Sequence, residues 1–101
     1  MIADSKTEIL AGKGLILNTA KLRDKGKIVT LESSCAKLFS SESLGKIADR
    51  AVQIHGGAGY MSEYPVERLY RDARLFRIYE GTSQIQQLII ARETINNFKL
   101  N

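Results

Sequence analysis

Between Ile28 and Ile54 apolar side chains return mostly at three- and four-residue steps, at Leu31, Cys35, Leu38, Leu44, Ile47 and Ala51, with no proline to interrupt them. The run stops at Gly56-Gly57-Ala58-Gly59. A stripe with this period commits the segment to a long helix, about 28–55, with one face turned inward. Glycine accepts the left-handed backbone that terminates helices, so the cluster closes it. Its weakest part is the middle, where Phe39 bridges the six-residue step from Leu38 to Leu44 and Ser40, Ser41 and Ser43 intervene.

The rest of the chain follows the same logic. Ile2, Ile9 and Ile16 recur at seven residues beside Leu10 and Leu17, predicting a helix over 2–23 with that stripe buried. Ser5 and Glu8 have capping-box spacing, although a helix passing straight through them would carry the same pair by chance. Pro65 suits the first turn of a short helix reaching about Arg74, along which Glu67–Arg71 and Arg68–Asp72 are four apart. Thr82 is a plausible N-cap for a last helix with Ile85, Leu88, Ile89 and Ile95 inward. The expected fold is all-α and four-helix-bundle-like, as a single domain over residues 1–101.

Several function classes are disfavoured. Cys35 and His55 are the only cysteine and histidine. An internal disulfide is therefore impossible, no metal site is expected, and a reducing compartment, cytoplasm or mitochondrial matrix, fits best. Lysines and arginines give a formal charge of +4 but are scattered rather than joined to a reading motif, so no nucleic-acid partner is expected. The longest plain apolar run, Leu88 to Ala91, is far too short to span a bilayer.

The candidate for chemistry is Glu80, in the run Phe76-Arg77-Ile78-Tyr79-Glu80-Gly81-Thr82-Ser83-Gln84-Ile85. A carboxylate among apolar and aromatic neighbours is disfavoured when ionised, which shifts it toward the range of a general base. The plainer alternative is a solvated glutamate complementing a helix dipole. Gly56, Gly57 and Gly59 likewise have two readings: a simple turn, or bare backbone that approaches a phosphate or adenosine group.

Two phrases exceed what periodicity explains. Ala51-Val52-Gln53-Ile54-His55-Gly56-Gly57-Ala58-Gly59-Tyr60, followed by Tyr64-Pro65-Val66-Glu67-Arg68-Leu69-Tyr70-Arg71-Asp72-Ala73-Arg74 and Tyr79-Glu80-Gly81-Thr82-Ser83-Gln84-Ile85-Gln86, closely resembles the carboxyl-terminal helical domain of acyl-CoA dehydrogenases. The resemblance is dense from Ala51 to Arg92 and weaker over residues 1–50. It implies FAD as cofactor and an acyl-CoA thioester as substrate, with Glu80 abstracting the α-proton while its own backbone N–H donates to the thioester carbonyl. Gln53, Ile54, His55, Gly56 and Gly57 would reach the FAD of a neighbouring chain. Thr82, Ser83 and Gln84 would face the cofactor, a role compatible with helix capping. Gly81 would leave room for the thioester, and Tyr79 would either line the acyl pocket or serve as a core aromatic.

The resemblance further implies a homo-oligomer, tetrameric in full-length members, with an electron-transferring flavoprotein as electron acceptor. Full members are several times longer, with an amino-terminal helical domain and a middle β-domain. The chain is therefore expected to be a fragment lacking the first helix of its bundle, inactive alone, and inclined to self-associate over uncovered apolar surface. The alternative is a non-catalytic helical oligomerisation module derived from the same family.

Overall fold

A computed structural model describes residues 1–100. It contains four α-helices and one 3₁₀ turn, and no strand occurs among the described residues. Helix α1 spans Ile2–Asp24, α2 Thr30–His55, α3 Val66–Leu75 and α4 Ser83–Lys99, with the 3₁₀ turn at Gly56–Tyr60. The expected element order and all-α class are therefore observed.

α2 is the spine. It packs against α1, α3, α4 and the 3₁₀ turn, whereas α1 touches α2 alone. Gly56, at φ 60°, ends α2 as the glycine cluster predicts, and the 3₁₀ turn follows directly. α3 then returns along α2, beginning just after Pro65, whose carbonyl accepts from the Leu69 amide at 3.1 Å. Thr82 caps α4 as expected, its hydroxyl accepting from the Ile85 amide at 3.2 Å.

On α1 and much of α4 the faces that meet are not the ones the apolar stripes single out, whereas the α2 stripe at Leu31, Cys35, Leu38, Leu44, Ile47 and Ala51 is half-buried. On α1 the residues turned inward are Ser5, Glu8, Gly12, Leu15, Thr19 and Leu22, while Ile2, Ile9, Leu10, Ile16 and Leu17 are exposed. On α2 the buried positions are Ser34, Ala36, Ser41 and Ser43, Ile54 faces outward, and Ile28, expected to open this helix, lies exposed just before it. On α4 Ser83 and Gln86 are buried, whereas Ile85, Leu88 and Ile95 are exposed and Ile89 is half-buried. The helices approach through small residues: a methyl group on Gly12 would stand 3.2 Å from Ser40 Oγ.

The same geometry corrects three local expectations. Ser5 lies inside α1, its hydroxyl donating to the Met1 carbonyl, and Glu8 reaches across to Arg50, so the pair forms no capping box. Neither Glu67–Arg71 nor Arg68–Asp72 is among the ion pairs of the described residues. Exposed helix pairs gain too little to hold one geometry against solvent.

The result is an elongated, open body, 54 × 23 × 20 Å, with a radius of gyration of 16.4 Å against about 13 Å for a compact domain of this length. Its accessible surface is 7516 Å², about 1,800 Å² above that of a compact monomer of this mass. That surplus exceeds the roughly 800 Å² each partner contributes to an ordinary protein interface. An apolar groove of ≈ 680 Å³ runs between α1 and α2, lined by residues that include Ile9, Ile16, Leu44, Ile47 and Phe76.

Candidate functional site

The loop joining α3 to α4 carries Glu80. Three features shape it. Leu75 closes α3 by accepting through its carbonyl from the amides of Ile78 and Tyr79, at 2.9 and 3.2 Å. Glu80 and Gly81 then both adopt positive φ, 55° and 83°. Finally the Ser83 amide reaches back to the Arg77 carbonyl at 3.1 Å as α4 begins. Glu80 is the only non-glycine residue with positive φ among the described residues. A left-handed conformation costs such a residue about 1–2 kcal/mol, so it persists only where the surroundings impose it.

Those surroundings come from α2 and α4. Lys37 Nζ donates to the Phe76 carbonyl at 2.9 Å and to the Gly81 carbonyl at 2.6 Å, spanning the loop from end to end. Glu42 accepts from the buried Ser83 hydroxyl at 2.6 Å and pairs with Arg77 at 3.5 Å. Gly45 leaves space for the Arg77 guanidinium, which would lie 3.3 Å from a methyl group there. Gln86 Nε2, itself buried, donates to the Glu80 carbonyl at 3.4 Å.

Among the described residues, the Glu80 and Gly81 amides have no acceptor within the chain. They present two adjacent donors beside a carboxylate, a combination suited to a carbonyl compound that carries an acidic proton next to its carbonyl. Tyr79 and Phe76 stack edge to face, with ring centroids 5.3 Å apart and planes at 89°, and both remain partly exposed. The expected apolar enclosure of Glu80 is absent within this chain. Glu80 is exposed, and its aromatic neighbours Phe76 and Tyr79 pack edge to face against each other.

The second candidate segment lies elsewhere. Gln53, Ile54, His55, Gly56 and Gly57 occupy the end of α2 and the start of the 3₁₀ turn, and all are exposed. His55 Nδ1–H donates to the Ala51 carbonyl at 2.7 Å, which leaves Nε2 facing outward as an acceptor when the ring is neutral. A side chain at Gly56 or Gly57 would meet nothing within 4 Å, so this backbone is open to a flat or anionic group. Gly59, by contrast, is buried against the Val52 carbonyl.

The structure thus gathers Tyr79, Glu80, Gly81, Thr82 and Ser83 into one site with exposed Gln84 beside it, but it does not bring Gln53–Gly57 to them. Gly81 is held at Lys37, nineteen residues from Gly56 along α2, a distance of about 28 Å at 1.5 Å per residue. Sequence reasoning missed Lys37, Glu42, Arg77 and Gln86 as parts of the site. One signal was available: Lys37 is a lone charge within Cys35-Ala36-Lys37-Leu38-Phe39, where a surface residue would not be expected.

Comparison with known proteins shows the family and the fold. The family model described as acyl-CoA dehydrogenase, C-terminal domain, matches residues 1–95. The chain is 55% identical over 91 residues to the caffeyl-CoA reductase-Etf complex subunit CarC of Acetobacterium woodii, covering 90% of this chain and 24% of that protein. It is 52% identical over 95 residues to cyclohexane-1-carbonyl-CoA dehydrogenase of Geobacter metallireducens, covering 94% and 25%. Its fold superposes on butyryl-CoA dehydrogenase from Megasphaera elsdenii with a TM-score of 0.88 at 38% identity, over 92% of this chain and 24% of that one. The chain therefore spans about a quarter of the length of the relatives it matches.

Proposed function

We propose, from the premise that this chain belongs to the acyl-CoA dehydrogenase family, that it supplies the catalytic base and part of the flavin and subunit interface of an enzyme catalysing α,β-dehydrogenation of acyl-CoA thioesters. The observation that carries this reading is the juxtaposition at Glu80: a carboxylate on a left-handed backbone whose own amide, and that of Gly81, have no acceptor within the chain. FAD, the family's cofactor, would accept the hydride that leaves the β-carbon. The exposed glycines at 56 and 57 fit the close approach of such a group, and Gln53, Ile54 and His55 would flank it. Thr82, Ser83 and Gln84 would face the cofactor at the start of α4.

In this reading the thioester carbonyl accepts from the Glu80 amide, which stabilises the negative charge that develops as the α-proton departs. The Glu80 carboxylate takes that proton. Gly81 presents no side chain to the thioester, and Tyr79 borders the acyl group. Partners are a homo-oligomer of such chains, tetrameric when joined to the domains its longer relatives possess, and an electron-transferring flavoprotein. The 101 residues alone would turn over no substrate, because a base without a held thioester lacks proximity.

One observation favours the opposite direction: the 55% identical relative is named as a caffeyl-CoA reductase subunit. The same geometry serves both, since a protonated Glu80 would return the proton to the α-carbon.

The test uses this chain joined to the amino-terminal portion its relatives carry. Glu80→Gln is expected to lower turnover by a factor on the order of 10²–10⁴ while the flavin stays bound. Retained turnover would remove Glu80 from the role, and turnover by a flavin-free protein would overturn the whole reading.

A further inference from the structure

We propose that Lys37 is a positioning residue for the Glu80 loop, holding at once both ends of the main-chain segment that carries the Glu80 and Gly81 amides. The functional meaning of this rests on Glu80 being the base; the structural part does not.

The argument begins with the loop's energetics. Two successive left-handed residues, one of them a glutamate, form a conformation that the loop would not choose by itself. Something outside it must hold it, and the contacts differ in what they hold. The Ser83 hydroxyl and the Arg77 guanidinium, both on Glu42, anchor side chains, not the backbone between them. The Ser83 amide closes the loop on itself. Gln86 holds one carbonyl, that of Glu80, at the long distance of 3.4 Å. Among the described residues, only Lys37 reaches the loop's main chain from a helix that does not flank it, and it takes two carbonyls near opposite ends, Phe76 and Gly81, at 2.9 and 2.6 Å.

Holding a carbonyl also aims an amide. In a trans peptide the C=O and the following N–H point in opposite directions. Lys37 on the Phe76 and Gly81 carbonyls therefore turns the Arg77 and Thr82 N–H groups away from its ammonium, while Gln86 on the Glu80 carbonyl turns the Gly81 N–H away from the Gln86 amide. The peptide that carries the Glu80 N–H lies inside the segment whose two ends Lys37 holds, so fixing those ends narrows the conformations open to Glu80. A charged donor suits the task, because hydrogen bonds from an ammonium are shorter and roughly twice as strong as neutral ones. The half-buried stem of Lys37 lies in the groove between α1 and α2 that Phe76 also lines, so the ammonium arrives from a fixed direction.

The test compares Lys37→Met, Lys37→Gln and Lys37→Arg in the ¹⁵N-labelled 101-residue chain, read by amide hydrogen exchange. In Lys37→Met the Ser83 amide, bonded to Arg77 across the loop, and those of Ile78 and Tyr79 should exchange at least tenfold faster, while amides in the middle of α1 and α2 change less than twofold. Lys37→Gln should behave similarly, and Lys37→Arg, which keeps a charge and two donors, should recover most of the protection. Unchanged exchange at 78–83 in the Met and Gln variants would overturn the proposal. So would loss of protection throughout the helices, since that would make Lys37 a general stabiliser. In the enzyme assembled with its other domains, Lys37→Met should lower kcat at least tenfold with KM within threefold, and Lys37→Arg should restore it. An active Glu80→Gln enzyme would sink the assignment of the base but leave the exchange result standing, so the two failures are distinguishable.

Discussion

Arg50 of α2 grips the Glu8 carboxylate of α1 with both terminal nitrogens, Nη1 to Oε2 at 2.6 Å and Nη2 to Oε1 at 3.1 Å. Because α1 touches no other helix, this bidentate pair joins α1 to the one helix it packs against. The hydrogen bonds from Arg50, aided by its charge, hold the Glu8 carboxyl below its ordinary value.

The sign of the pH dependence follows. A carboxylate that is easier to ionise in the folded chain contributes stability that is present above its ordinary value of 4.5 and is lost as pH falls through the lower folded value. Urea unfolding of the chain should therefore weaken below that point. Glu8→Gln should be less stable at neutral pH and should lose less on acidification. An unchanged acid slope in Glu8→Gln would show that other carboxylates carry it.

Gly59 and Gly57 separate packing from binding. A methyl group on Gly59 would stand 2.5 Å from the Val52 carbonyl oxygen and 3.1 Å from the His55 side chain, so backbone must move. Gly59→Ala should cost about 1–3 kcal/mol in thermal or urea unfolding. Gly57→Ala meets nothing within 4 Å and should stay within about 0.5 kcal/mol. If Gly57 faces a flavin in the assembled enzyme, that same variant should weaken FAD retention at unchanged stability, measured by flavin absorbance after dialysis.

Gly81→Ala should be disruptive for two reasons. Its φ of 83° disfavours any side chain, and the new methyl would stand 2.6 Å from Gln86 Nε2, displacing the donor to the Glu80 carbonyl. A loss of about 1–2 kcal/mol is expected in urea unfolding. Because the site depends on this turn, the assembled enzyme should also lose most of its turnover. A fully active Gly81→Ala protein would contradict the close approach of substrate at this residue.

Thr82→Ala removes the side-chain acceptor for the Ile85 amide at the start of α4. The expected cost is about 1 kcal/mol, with serine restoring most of it. Circular dichroism melting of the three proteins is sufficient to check this.

Much of this architecture was legible before any coordinates. The helix period, the glycine cluster, Pro65 and Thr82 mark element boundaries through local backbone chemistry, which a sequence states directly. The α2 stripe from Leu31 to Ala51 is half-buried as its period implies, but which face of α1 meets a neighbour was not legible. Ile2, Ile9 and Ile16 form the obvious stripe on α1, yet Ser5, Gly12 and Thr19 meet α2. Periodicity reports every apolar face, including those a single chain leaves uncovered. The loop around Glu80 was found through its family phrase, but its supports were not, because Lys37 and Glu42 lie about forty residues upstream and act through main-chain carbonyls and a serine.

The length of α2 between Lys37 and Gly56 has a genetic corollary. If each active centre draws its glutamate from one copy and its glycine phrase from another, two separately dead alleles can rescue each other. A copy damaged at Glu80 still offers intact glycines, and a copy damaged at Gly57 still offers an intact base. Co-expressing the pair should rebuild working centres that neither produces when expressed alone, a form of intragenic complementation.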